Sequence, residues 1–266
     1  MSDPKCISPL LDGYIMGSPI SDHDGVKCCP AMKENSDKKY IVKIISIPTS
    51  QVQLDALLLT GAYDTPADAM DYFKEIADGI EKEAALLQKL SKLEGFLPYD
   101  GWQVEPMDEN RLGYEVYLVS SYKRSLEKFM TRNAMTHLGA VNLGLDICAA
   151  LAIARRAGHI YADLKPTNIF ISEGREYRIG DLGFLDTSAL KYTSLPARYR
   201  SPYSPPELWD DLTTVNMTAD TYALGMILYR IYNNGILPTV DPEDDQPLPA
   251  PANADYEMAE IILKLS

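Results

Sequence analysis

Cysteine is scarce, and what there is carries no pattern. Cys6, Cys28, Cys29 and Cys148 form no C-x-x-C pair and have no zinc-ligand spacing around them. They read as free thiols in a reducing compartment. Long apolar runs are lacking too: no stretch approaches the ~18 residues of a membrane span. The N-terminus MSDPKCISPLLDG has neither the basic start nor the apolar core of a signal peptide. The expectation is a cytoplasmic chain with no membrane partner in this segment. Positive charge is in deficit, with 25 Lys and Arg against 38 Asp and Glu and a net charge of −13. That sign argues against nucleic acid, whose phosphates need a Lys/Arg surface. It suits a positively charged partner or substrate peptide. There is no internal repeat.

The rest of the composition is that of a globular protein, 46% hydrophobic and 24% charged. The chain's 266 residues can bury one large core or two lobes sharing a cleft. Strand-like stretches come first: YIMGSPI, VKCCPAM and YIVKIISI, the last rich in β-branched residues. The polar SDHDG separates the first two. A helix QVQLDALLLTG follows, stopped by Gly61. Thr65 then reads as an N-cap with Pro66 at the first helical position. Met70, Phe73, Ile76, Ile80, Ala84, Leu87 and Leu90 recur at steps of three or four. They predict one long amphipathic helix to about Leu93, closed by Gly95. GWQVEPM and GYEVYLVSSY complete a sheet of five strands. Beyond SSYK the pattern turns helical. Leu138, Val141, Leu145, Cys148 and Leu151 share one stripe, and two short strands (168–172 and 177–180) flank the turn SEGRE. Helices are also predicted at PELWDDL, TADTYALGMILYRIYNNG and YEMAEIILKLS.

The division that results is a single domain, 1–266, with a mostly β lobe (1–119), a joining stretch (120–123) and a mostly α lobe (124–266). Ligand sites favour the cleft between such lobes. Several polar residues stand where the pattern does not call for them. Lys43 sits inside the apolar strand YIVKII. Glu83 lies on the long helix beside the stripe Ile80–Ala84–Leu87; alone it reads as a solvated helix glutamate. With Lys43 it can pair across a packed interface. Asp163, Lys165 and Asn168 occupy the loop after a hydrophobic helix, and Asp181 follows in RIGDLGF. A strand–turn–strand hairpin between Asp163 and Asp181 can return both carboxylates to one place. Two acids and an amide there suit Mg2+, a hard cation that takes oxygen ligands.

These pieces, in this order, resemble the protein kinase superfamily. YIVK is similar to V-A-I-K, EAALLQKL to the helix of the paired glutamate, and DLKPTN to the catalytic loop. DLG resembles D-F-G, SPPE resembles A-P-E, and DTYALG resembles the D-x-W-S-x-G that opens the large buried helix. The resemblance implies an α+β bilobal fold, with an antiparallel five-stranded N-lobe and a mainly α-helical C-lobe that is incomplete here. It implies ATP- and Mg2+-dependent (or Mn2+-dependent) phosphoryl transfer to protein Ser/Thr hydroxyls. Asp163 would be the catalytic base and Lys165 would neutralise the γ-phosphate. Asn168 and Asp181 would hold the metal. Lys43, paired with Glu83, would position the ATP phosphates, and Gly17, Ile41, Ser121 and Tyr122 would line the nucleotide site. Asp220 would anchor the catalytic loop from below. The partners implied are a protein substrate or a regulatory protein. Aminoglycoside phosphotransferases share the Asp…Asn…Asp core but usually lack the K-P, PPE and DTYALG pieces.

Five departures from the family pattern bear on activity. The glycine-rich loop reads GSPISDHDGV: Pro19 takes the second glycine place and offers no N–H to a phosphate, and Asp22 and Asp24 add negative charge. Ile41 stands where the family usually has Ala. Tyr161-Ala162 replaces His-Arg before the catalytic Asp, which removes the arginine that reads an activation-segment phosphate. A helix is inserted between Lys43 and Glu83. The family's further helix, whose arginine pairs with the Glu of A-P-E (here Glu207), is not found: either the sequence is a fragment of a longer polypeptide or Glu207 is satisfied otherwise. The alternative to an active kinase is therefore a pseudokinase, a scaffold or regulator with weak or no catalysis. Thr187, Ser188, Thr193 and Ser194 are the candidate phosphosites of the segment before SPPE.

Overall fold

The structure is a computed structural model that describes residues 9–107, 111–172, 174–186, 201–206, 218–238 and 248–265. The expected helix PELWDDL, Glu207, Cys6 and the four candidate phosphosites lie outside the described residues. The chain divides into two compact units, Met1–Gln88 with Pro98–Tyr122, and Lys89–Leu97 with Lys123–Ser266. Residues 89–97 therefore group with the later part of the chain. The cause is local: Leu97 N–H donates to the Ile179 carbonyl, and Ile179 N–H to the Gly95 carbonyl.

The first unit is built on an antiparallel sheet. Its strands are β1 (Tyr14–Met16), β2 (Ser21–His23), β3 (Val26–Lys33), β4 (Lys39–Ile47), β5 (Gly101–Pro106) and β6 (Tyr114–Ser121), in the order β1-β3-β4-β6-β5 with β2 also on β3. Five of the strands are those the sequence predicts. The sixth, β2, falls in the stretch SDHDG that reads as a polar break. Asp24 and Gly25 both take positive φ, 50° and 75°. That is the type I′ turn for which Asp-Gly is a preferred pair, and it folds β2 back on β3 as a hairpin. One face of the sheet holds a core of Leu11, Ala31, Tyr40, Val42, Tyr117 and Val119.

Two helices belong to this unit wholly or mainly. α1 (Gln51–Leu59) is capped by Ser50, whose hydroxyl accepts the Gln53 N–H. Of its leucines only Leu54 is buried, and Leu59 is exposed. α2 (Pro66–Leu90) begins at the predicted residue. Thr65 and Asp68 satisfy each other's backbone N–H groups, the reciprocal arrangement of a capping box. Its buried stripe is Ala69, Phe73, Ala77, Ile80, Glu83, Ala84, Leu87 and Leu90. A short 3-10 turn, Ser91–Leu93, follows before Gly95.

The second unit holds β7 (Arg124–Ser125), α3 (Leu126–Met130), α4 (His137–Arg156), β8 (His159–Tyr161), β9 (Ile169–Ile171), β10 (Tyr177–Ile179), β11 (Phe184–Asp186), α5 (Thr218–Tyr232) and α6 (Tyr256–Leu265). β9 and β10 form the expected hairpin, extended by β7, while β8 pairs with β11. Two readings of α4 need correction. It is long and apolar enough, by length and composition, to cross a membrane, although the sequence shows no single unbroken apolar run. It packs on β8, β10 and α5 as a core helix of its unit. Its buried stripe is Ala140, Leu143, Ile147, Ala150, Leu151 and Ala154, whereas Leu138, Leu145 and Cys148 of the predicted stripe are exposed.

Candidate phosphoryl-transfer site

In the first unit, the sheet register sets Gly17, Ile41 and Lys43 along two rows of one face, while Ser121, opposite Tyr40, falls on the other face. Gly17 N–H donates to the Pro30 carbonyl at 2.8 Å. Pro30 lies opposite Ile41, and Ile41 opposite Ser120. Two residues along β4, on the same face, Lys43 lies between Cys28 and Leu118. Ser121 pairs with Tyr40 and its hydroxyl donates to Asp100 Oδ2 at 2.7 Å. Tyr122 N–H donates to the Lys39 carbonyl, so the chain leaving β6 stays tied to β4. Glu83 is buried on α2 rather than solvated. A buried carboxylate requires a cationic or hydrogen-bonding partner.

The loop before this row is already committed elsewhere. Gly17 N–H is used by Pro30, Ile20 N–H donates to the Cys28 carbonyl, and Pro19 has no N–H. At the hairpin tip, Ser46 N–H donates to the Gly25 carbonyl. A Cβ on Gly25 would lie 2.7 Å from the Thr49 Cα, so the turn is seated on the end of β4.

In the second unit, β8 delivers the chain to Asp163 and β9 receives it after Asn168. Asp163 is buried, and its carboxylate is held at both oxygens. Lys165 Nζ donates to Oδ1 at 2.7 Å, and Asn168 Nδ2 donates to Oδ2 at 2.9 Å. Asn168 Nδ2 also donates to the Asp163 carbonyl, which turns the amide nitrogen toward Asp163 and leaves its Oδ1 as an acceptor. Gly180 N–H donates to the Asn168 carbonyl at 2.9 Å, so the residue before Asp181 is pinned to the same loop. Burial raises the Asp163 pKa above the ordinary carboxylate value; the Lys165 ammonium pulls it back and the Asp181 charge raises it again. Asp181 has φ 72°, a left-handed conformation, and its Oδ1 accepts the Leu182 N–H. The Asp181 carboxylate and Asn168 Oδ1 are hard oxygen donors of the kind Mg2+ takes.

Tyr161 supports this loop from two sides. It is fully buried; its hydroxyl donates to the Gly180 carbonyl at 2.6 Å, and its N–H donates to Asp220 Oδ2 at 3.0 Å. Ala162 N–H donates to the Gly183 carbonyl. Gly183 lies so close that a Cβ there would be 2.8 Å from the Tyr161 ring, which explains a glycine at that place. Burial raises the Asp220 pKa to about 8, against the opposing pull of the Tyr161 N–H. Its Oδ1 is buried with no partner among the described residues.

One cluster escapes the sequence reading. Arg230 of α5 donates to both carboxylate oxygens of Glu127 on α3 and to the Tyr203 hydroxyl. Its one available signal is an arginine inside the apolar run ALGMILYRIY.

A sequence model described as protein kinase domain matches residues 31–247. Among similar curated proteins is a probable serine/threonine-protein kinase of Clostridium perfringens, 28% identical over 46% of this chain and 18% of its own length. The serine/threonine-protein kinase RUNKEL of Arabidopsis thaliana is 33% identical over 46% of this chain and 10% of its own length. The serine/threonine-protein kinase GIN4 of Saccharomyces cerevisiae is 26% identical over 68% of this chain and 15% of its own length. The chain thus spans less than a fifth of the length of each of these relatives.

Proposed function

The chain belongs to the protein kinase family, and from that premise we propose that it transfers the γ-phosphoryl group of ATP to serine or threonine hydroxyls of a protein substrate. The observation that carries this reading is the Asp163–Lys165–Asn168 cluster with Asp181 pinned beside it through Gly180. Phosphoryl transfer needs positioning and charge compensation more than covalent chemistry. Asp163 accepts the proton of the attacking hydroxyl; its raised pKa and its anchored oxygens suit a base that is protonated only in passing. Lys165, now paired with Asp163, offers its ammonium to the migrating phosphoryl group. Asn168 and Asp181 hold Mg2+, or Mn2+ in its place, which supplies charge neutralisation at the phosphate oxygens. In the first unit, Lys43 binds the α- and β-phosphates and Glu83, buried on α2, orients it. Gly17, Ile41, Ser121 and Tyr122 line the nucleotide site, with Gly17 in the loop over the phosphates and Ile41 against the adenine. We place the reaction in the cytoplasm, where thiols such as Cys28, Cys29 and Cys148, none of which forms a disulfide among the described residues, stay reduced.

A second reading rests on the first unit. Gly17 and Ile20 amides are used within the sheet and Pro19 has none, so the loop offers phosphates few N–H groups. This favours a pseudokinase that acts as a scaffold or regulator. Labelled ATP with Mg2+ and a basic protein substrate separates the two. An active kinase transfers label, and Asp163→Ala lowers the rate by about 10²-fold or more at unchanged folding. A pseudokinase transfers none, or only a weak label that Asp163→Ala leaves unchanged.

A further inference from the structure

Arg230 uses its guanidinium on three stretches of chain at once. Nη1 and Nη2 donate to Oε2 and Oε1 of Glu127 at 2.6 and 3.1 Å, the parallel fork for which Arg and carboxylate are matched. Nη1 also donates to the Tyr203 hydroxyl at 2.7 Å, and Nε to the Gly235 carbonyl at 3.1 Å. The two charged side chains keep 22% and 32% of their exposure, so water screens the pair only in part. Tyr203 is buried.

What Glu127 does with its backbone gives the fork a consequence. Its N–H donates to the Pro166 carbonyl at 3.0 Å. Pro166 directly follows Lys165, whose ammonium holds Asp163. α3 is five residues long, too short to fix its own axis. Its place is set by what grips its N-terminal end: β7 pairs with β9 at Arg124 and Ser125, and Arg230 takes the carboxylate of Glu127. Tyr203 joins the same guanidinium from 201–206, the residues just before Glu207.

We propose that Arg230 is a positioning residue that sets the Asp163–Lys165 loop through Glu127 and couples it to the 201–206 segment. It touches no reacting atom. Its effect on rate rests on the phosphoryl-transfer reading above; its effect on loop position does not.

The test uses the full chain with Arg230→Ala, Arg230→Lys, Glu127→Arg and the double exchange Glu127→Arg with Arg230→Glu. Hydrogen–deuterium exchange reads the loop directly. In Arg230→Ala, peptides covering 126–131, 163–168 and 201–206 exchange faster, while those of β3–β4 do not change. Equal exchange in wild type and Arg230→Ala overturns the proposal. Labelled transfer from ATP then reads the rate. Arg230→Ala lowers kcat by about 10- to 100-fold, in keeping with a small misplacement of a catalytic group, and leaves KM for ATP unchanged. Arg230→Lys recovers part of the loss, and the double exchange recovers more than Glu127→Arg alone. A fall in Tm with kcat unchanged at a temperature where the variant is folded marks a merely structural pair and overturns the proposal. If the wild type transfers no phosphate yet the three peptides loosen in Arg230→Ala, the positioning link stands and the catalytic reading is the one that has failed.

Discussion

Asp220 and Asp163 are both buried carboxylates whose pKa burial raises, yet their surroundings differ. Asp163 meets an ammonium and an amide N–H within hydrogen-bond distance. Asp220 receives one backbone N–H, and burial carries its pKa from 3.8 to about 8. The native state therefore keeps a proton that the unfolded chain releases above its ordinary pKa. Between those two values the folded form binds more protons, so this residue's contribution to stability falls as pH rises. Tm measured from pH 5 to 8 is expected to decline, and Asp220→Asn, uncharged and of equal size, is expected to flatten the decline. Parallel curves for the two proteins would count against a neutral Asp220. The replacement of the usual histidine by Tyr161 is explained at the same scale. Its phenol reaches the Gly180 carbonyl while its ring fills the space that Gly183 leaves open.

At the scale of elements, the β2–β3 hairpin is the feature that the sequence pattern missed. SDHDG reads as a polar break because its period-2 alternation is short and charged. The stronger signal there is Asp-Gly itself, a pair whose tolerance of positive φ closes a two-residue hairpin. Gly25 is needed for conformation and for space. Gly25→Ala is expected to cost about 2 kcal/mol, because φ 75° is unfavourable for Ala and its Cβ would press on the Thr49 backbone. Urea unfolding of the two proteins measures it, and a loss near zero would show that the turn is not seated on Thr49. α4 carries the opposite lesson. Leu138 and Leu145 are two of the three leucines of the predicted stripe, yet both are exposed; only Leu151 is buried. The buried side is rich in alanine because neighbours approach closely, as Gly95 does to Ala150. A helix with apolar residues on most of its faces gives several stripes at helical spacing, and the one that includes Leu143, Ile147 and three alanines is the one that packs. α2 is read correctly because its buried face carries large residues at regular spacing and its start carries a capping box.

For the whole molecule, nucleotide binding is the property that separates the two functional readings most simply. If Asn168 and Asp181 hold Mg2+ and Lys43 holds the phosphates, saturating Mg·ATP stabilises the native state. At a nucleotide concentration of about 100 times Kd the gain is roughly 2.7 kcal/mol, or a Tm rise of roughly 5–10 °C for a chain of this size. EDTA is expected to remove most of that rise, and Asp181→Asn to do the same with Mg2+ present. A rise that survives both treatments would mean that nucleotide binds without the metal residues assigned here. No rise at all would remove the nucleotide-binding role of Lys43.

The sequence by itself determined the family, the alternation of strands and helices, the start of α2 and the loop Asp163–Lys165–Asn168. Each depends on residues close together in the chain, where spacing dictates contact: a lysine two residues from an aspartate on a tight loop reaches it without help from elsewhere. Only the tertiary structure decided which face of α4 is buried, that the hairpin turn sits on Thr49, that Tyr161 bridges Gly180 and Asp220, and that Arg230 grips Glu127 and Tyr203. Those pairings join residues tens to a hundred positions apart. Periodicity records that a side chain will be buried or charged, but its partner is set by which elements pack together, and that follows from the burial of the whole unit.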